Sequence, residues 1–172
     1  METGMHGGTL TADFLTQSYR ISGQVAVRNR RLINILSDAY SSLLELYDVY
    51  ISRIAQPGDI VTTYRMAAIT KSSITCVVLP TTSLALSRDQ SYTFTRLPYE
   101  AFITVPSLEI QGKLMIAGKL ELNALLSTSS ERFLPIMEAS AVVSFYPQIS
   151  FAGQLLLVNK ERIELFCVRE PG

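Results

Sequence analysis

Residues Tyr19-Arg20-Ile21-Ser22-Gly23-Gln24-Val25-Ala26-Val27 are matched in pattern by Leu108-Glu109-Ile110-Gln111-Gly112-Lys113-Leu114-Met115-Ile116, a register shift of 89 residues. The same shift carries Asn34 and Leu36 onto Asn123 and Leu125, and Ile69, Lys71 and Ile74 onto Val158, Lys160 and Ile163. Between these stretches, Leu43 to Val49 aligns with Phe133 to Ala139 at a shift of 90, so one residue is inserted and later removed. Identities are few but the apolar positions agree, which is the mark of a repeated structural unit. A chain of 172 residues written this way has room for one good core or for two small ones that lean on each other, and the repeat favours two.

The expected division is a disordered, Gly-rich lead over residues 1–9, a first unit over 10–80, a linker over 81–98 and a second unit over 99–172. Arg20 to Val27 alternates polar and apolar residues and reads as a strand, interrupted by Gly23, as Gly112 interrupts its counterpart. A glycine inside a strand pattern marks a bulge, a bend or a close backbone approach, and the continued alternation on both flanks points to a bend. Leu32, Ile35, Leu36 and Ala39 fall at helix spacing, and the matching Leu120 to Leu126 is short, so each unit should hold a helix of two or three turns.

Leu43 to Ile51 returns to strand character, followed by turn signals at Pro57-Gly58-Asp59 and Tyr146-Pro147-Gln148. A final hairpin should run from Tyr64 to Ile69, through Thr70 to Ser73, and back along Ile74 to Leu79. Its twin spans Gln154 to Val158 and Ile163 to Val168. Each unit thus reads as strand, short helix, strand, strand, strand. Ser91-Tyr92-Thr93-Phe94-Thr95 in the linker alternates as a further strand would. The fold class that follows is α+β, mostly antiparallel β with one short helix per unit, packed as a pseudo-two-fold body.

Charged residues are 17% of the chain, against about 25% in ordinary soluble domains, and 48% are apolar. Either the β core is well filled, or further apolar surface is covered by a partner or another copy. Lysine and arginine balance aspartate and glutamate at 15 each, so no global field draws the chain to nucleic acid or anionic lipid. Near-neutrality also favours association. Cys76 and Cys167 both sit in apolar runs and read as small core hydrophobes, with a disulfide between them a minor alternative. No signal-peptide pattern and no apolar run of membrane-spanning length is present, which makes a cytoplasmic location the default.

The chemistry-bearing residues are sparse. The single histidine, His6, lies in the lead, so Ser–His and Cys–His nucleophile pairs are not expected. No metal-ligand spacing, P-loop or GxGxxG is present, so no cofactor or metal is expected, and the chain reads as a non-enzyme. Asp48 and Glu138 are candidate paired acids, because an acid recurs at matching places between apolar neighbours, and two approaching carboxylates would push one pKa up. The plainer reading has each facing solvent. Arg28, Arg30 and Arg31 form the basic cluster and are candidate phosphate-binding residues, although without interleaved aromatics or net positive charge a solvated loop is the plainer reading. Lys71 and Lys160 share a turn position, where a lysine is ordinarily solvated.

Gly112, Leu120 to Leu125, Phe133-Leu134-Pro135-Ile136, Val158-Asn159-Lys160 and Ile163 together resemble a small bacterial domain of unknown function. The first unit keeps Gly23, Arg31-Leu32, Leu44, Lys71 and Ile74, with Glu45 and Thr70 where the second has Pro135 and Asn159. The resemblance implies two tandem divergent copies and brings no activity with it. Low charge and missing catalytic residues then favour a binding or assembly module, a subunit or regulator in a protein complex or homo-oligomer. The alternative is a binder of nucleic acid or nucleotide phosphate through the arginines at 28, 30 and 31.

Overall fold

The computed structural model describes residues 8–86, 96–127 and 131–171. Residues 1–7 of the expected 1–9 lead, with His6, and the strand expected at 91–95 lie outside the described residues, whereas Gly8 and Thr9 belong to the first strand and correct the lead's end. The first half contains β1 (Gly8–Leu15), β2 (Tyr19–Arg28), α1 (Leu32–Ser37), β3 (Leu43–Arg53), β4 (Gln56–Thr70), a 3-10 turn (Lys71–Ser73) and β5 (Cys76–Leu79). The second contains β6 (Leu97–Val105), β7 (Leu108–Ile116), α2 (Leu122–Ser127), β8 (Phe133–Val143), β9 (Tyr146–Asn159), a 3-10 turn (Lys160–Arg162) and β10 (Leu165–Arg169). Each element of the second half starts 89 or 90 residues after its counterpart, as with Gly8 and Leu97 or Leu32 and Leu122.

The ten strands among the described residues join one antiparallel sheet in the order β10-β6-β7-β8-β9-β5-β1-β2-β3-β4. Three local expectations need correction. Ahead of the first strand expected in each unit lies a further one, β1 in the first half and β6 in the second, each closed onto the next strand by a short turn. Pro57-Gly58-Asp59 is not a turn: the chain reverses at Ile54-Ala55, and Pro57 lies within β4. A proline is tolerated there because β4 is an edge strand, where a missing N–H leaves no ladder bond unmade. Finally, β4 and β5 do not form a hairpin. The 3-10 turn redirects the chain so that β5 pairs with β1 on one side and β9 on the other.

The crossing of β5 to β1 decides the large-scale arrangement. Within each half the strands lie in the order fifth-first-second-third-fourth, and the fourth strand of the second half pairs with the fifth strand of the first. Unlike strands therefore meet at the seam. A two-fold packing would bring like strands together, so the seam is head to tail.

The seam also explains two continuous apolar runs. Val77 and Leu79 of β5, with Leu155 and Leu157 of β9, enter a core built mainly from Phe14, Leu32, Leu36 and Leu46. The alternate residues Cys76, Val78, Leu156 and Val158 enter a second core around Ile103, Ile110, Ile136 and Ala141. Strands apolar on both faces are those with a core on either side. Two cores thus share a two-stranded wall, Cys76 pairing with Val158 and Leu79 with Leu155. Asn159, buried at the end of the wall, donates from Nδ2 to the Ile74 carbonyl at 2.9 Å and from its backbone N–H to the Thr75 carbonyl at 2.9 Å.

α1 places Leu32, Ile33 and Leu36 in the first core and lies against β8 across the seam, where the Arg132 N–H donates to Ser37 Oγ at 3.1 Å. Ala85 and Leu86, at the start of the expected linker, are also buried in the first core. α2 buries no residue.

Candidate functional site

Asp48 and Glu138 have a backbone role that their spacing conceals. Gln24 pairs with Tyr47 and Ser22 with Tyr50, so Gly23 alone faces Asp48 and Val49. This is a β-bulge, and Asp48 takes up the extra residue at φ 50°. The second half repeats it, with Gly112 set between Gln111↔Ser140 and Lys113↔Met137, and Glu138 at φ 46°. A Cβ on Gly112 would stand 2.6 Å from both Ala139 Cβ and Ile136 Cγ2, so the glycine is required by close approach at the bulge rather than by a smooth bend.

The two acids lie in separate hollows. Asp48 lines one of about 440 Å³ with Gly23, Gln24, Thr63 and Tyr64. Glu138 lines one of about 670 Å³ with Gly112, Gln111 and Ser140, and its carboxylate accepts from Lys113 Nζ at 2.6 Å on the exposed surface. Among the described residues no hydrogen bond or ion pair joins Asp48 to Glu138.

Arg28 and Arg30 line a third hollow, of about 380 Å³, with Asp38, Glu45, Tyr47 and Lys71. Arg31 is the N-cap residue of α1. The Arg30 guanidinium already donates to the Asp38 carboxylate at 3.1 Å and to the Asn34 carbonyl at 3.3 Å. Asp38 is held below the usual carboxylate range by the Tyr40 backbone N–H and then by Arg30. Of the three arginines, Arg30 is thus engaged with its own helix and the residue that ends it.

Lys71 is a residue that sequence reasoning misplaced. It is 2% exposed, and its Nζ donates to the Ile35 carbonyl at 2.6 Å and the Asp38 carbonyl at 3.1 Å, closing the C-terminal end of α1. Burial pushes its pKa down, with partial compensation from Asp38. Lys71→Ala leaves those carbonyls without their charged donor and opens space beside Ile35, so an expected loss of about 2 kcal/mol follows. Urea unfolding of the variant beside the parent protein measures it.

The cysteines also differ from each other. Both are free thiols, Cys76 buried in the seam and Cys167 exposed on β10, which corrects the expectation that both are core residues. Burial pushes the Cys76 thiol up to about 12.

Among the described residues, the outer edge of β4 is a long edge without a paired strand. This strand runs fifteen residues at the end of the sheet. Along it Ile60, Val61, Tyr64 and Met66 are exposed, with Met66 at 66%, and Tyr50 on the adjacent β3 is exposed beside them. At the opposite end, β10 exposes Leu165. Natural edge strands are usually shortened, charged or covered, because open N–H and C=O groups template further pairing. Arg65 is the one charge between Ile60 and Thr70. The aromatic and β-branched residues of this strand hinted at the edge in the sequence, but its lack of a partner depends on where β5 goes.

Among the described residues no cluster of His, Cys, Asp or Glu has the makings of a metal site, and no helix is long and apolar enough to cross a membrane. Comparison with protein-family models, curated proteins and solved structures gave no match to this chain.

Proposed function

We propose that this chain is a non-enzymatic binding or assembly module, a subunit or regulator of a protein complex or homo-oligomer, built from two divergent tandem copies of one unit. The observation that carries the reading is the open β4 edge, fifteen residues long with exposed Ile60, Val61, Tyr64 and Met66. A strand of this length and character gains backbone hydrogen bonds and apolar burial only when another strand or surface covers it. The recurrence of each element at 89 or 90 residues supports the duplication, although the copies adjoin head to tail instead of about the expected two-fold axis. The phosphate-binding alternative draws less support, since Arg30 is already paired with Asp38.

A doubly substituted protein, Tyr64→Lys with Met66→Lys, tests the reading. Both side chains are exposed, so the fold should be little affected. Native mass spectrometry of the chain isolated from its source cells is expected to show an assembly that the double substitution reduces to the single chain. If the parent protein is a single chain under all conditions and co-isolates with nothing that the substitutions remove, the reading fails.

A further inference from the structure

We infer that the partner of the open edge is a second copy of this chain, seated with its β10 against β4 in the register that β5 takes on β9. The inference rests on the assembly reading and names its partner. Its basis is that the two strands at the ends of the sheet, each with one side unpaired among the described residues, are the counterparts of the two that meet at the seam. β10 stands to the second half as β5 stands to the first, and β4 to the first half as β9 to the second.

The residues at the free ends match those that the seam buries. Cys76 and Val78 project from β5 away from their own half into the core of the other. Their counterparts on β10, 89 residues on, are Leu165 and Cys167, both exposed, Leu165 at 51%. Leu155 and Leu157 of β9 likewise project into the opposite core. Their counterparts on β4 are Met66 and Ala68, which face solvent. A helix repeats the contrast, because α1 buries three apolar residues and reaches β8 across the seam, whereas α2 buries none. Each of these exposed groups is what a neighbour docked head to tail would cover. The formal net charge of zero puts no overall repulsion between copies.

The seat differs from the seam at one point. Tyr64 of β4 stands where β9 has Gly153, and a Cβ on Gly153 would lie 2.4 Å from the Leu79 carbonyl oxygen. β10 accommodates this because its last residues follow β6, Val168 pairing with Ala101 and Arg169 with Glu100, whereas Leu79 has no partner on β1. The end of β10 is thereby held off the position that Leu79 takes. A contact between unlike edges leaves one edge of each kind free, so it propagates into a ring or a filament of copies.

The seam pairs Val78 with Leu156, which places native Cys167 opposite Ala67 of the next copy. Ala67→Cys in the purified full chain, treated with oxidised glutathione, is expected to give disulfide-linked dimers and larger species. These should disappear with dithiothreitol or when Cys167→Ser is added, because directly opposed residues fall within disulfide reach. Tyr64→Cys, displaced along the same strand, is the register control and should not cross-link. As a variant that cannot disturb a core, Leu165→Asp on the exposed face of β10 is expected to weaken self-association about tenfold or more, read by sedimentation of the purified chain. A purified chain that stays single at every concentration and forms no Ala67→Cys cross-link overturns the inference. If the β4 double substitution still strips another protein from the native complex in that case, the assembly reading survives its loss. An oligomer that forms without the cross-link and is indifferent to Leu165→Asp overturns it equally, since copies would then meet elsewhere.

Discussion

Gly153→Ala is expected to destabilise the protein by about 3 kcal/mol, because it overpacks the seam against backbone rather than against a side chain that can swing away. The added Cβ would meet the Leu79 carbonyl oxygen at 2.4 Å, its carbon at 3.1 Å and Val78 Cγ1 at 3.2 Å. Relief requires β5 and β9 to part, which strips contacts from both cores at once, since each strand sends alternate residues into each. Gly58→Ala is the control, with open space around its Cβ and an expected change within about 0.5 kcal/mol. Urea unfolding reads the loss, and the rate at which a thiol reagent reaches buried Cys76 reports whether the seam is the part that opens. Equal stability of the two alanine variants would mean that the seam is not closely packed at Gly153.

The second large effect is a loss of stability in alkali that belongs to Cys76. Its folded pKa, pushed up to about 12 by burial, lies above the ordinary value of 9.0. A raised acid pKa means that the unfolded chain releases the proton first. The contribution is therefore complete below pH 9.0 and is lost progressively as the pH climbs from there to about 12. Each pH unit in that window is worth about 1.4 kcal/mol, so the full loss approaches about 4 kcal/mol. Cys76→Ala, which has no proton to release, should lose stability at neutral pH through its missing sulfur but show a flatter decline above pH 9.0. Other groups titrate in the same range, so the quantity to compare is the difference in slope between parent and variant. Parallel slopes would show that the thiol is not buried from water.

Much of the fold was legible along the chain. The agreement of apolar positions at shifts of 89 and 90 located the paired elements, and the spacing of Leu32, Ile35 and Leu36 marked α1. The runs Cys76-Val77-Val78 and Leu155-Leu156-Leu157-Val158 carried the pattern of strands buried on both faces. The bulges were half visible, as Gly23 and Gly112 each stand opposite an acid that recurs at a matching place. The left-handed backbone of Asp48 had a weak signal in its residue type, since aspartate is enriched there, whereas that of Glu138 had none. Lys71 reads as a solvated turn residue because a lysine is charged. It is buried because the carbonyls of Ile35 and Asp38 lie where its ammonium can reach them.

A mostly antiparallel β chain, and the places of most of its strands and of α1, could be read along the chain from its apolar spacing. Long-range packing set the rest: β5 leaves β4 for β1 and β9, the halves therefore meet head to tail, and Cys76 is buried while Cys167 is exposed. The reason is physical: a strand's alternation states which of its faces is apolar, and backbone donors and acceptors are alike in every strand. The local pattern of β5 suits a hairpin with β4 as well as a seam with β9. The choice falls to the packing of side chains far apart in the chain, Val77 and Leu79 beside Leu155 and Leu157, which no single stretch of sequence contains.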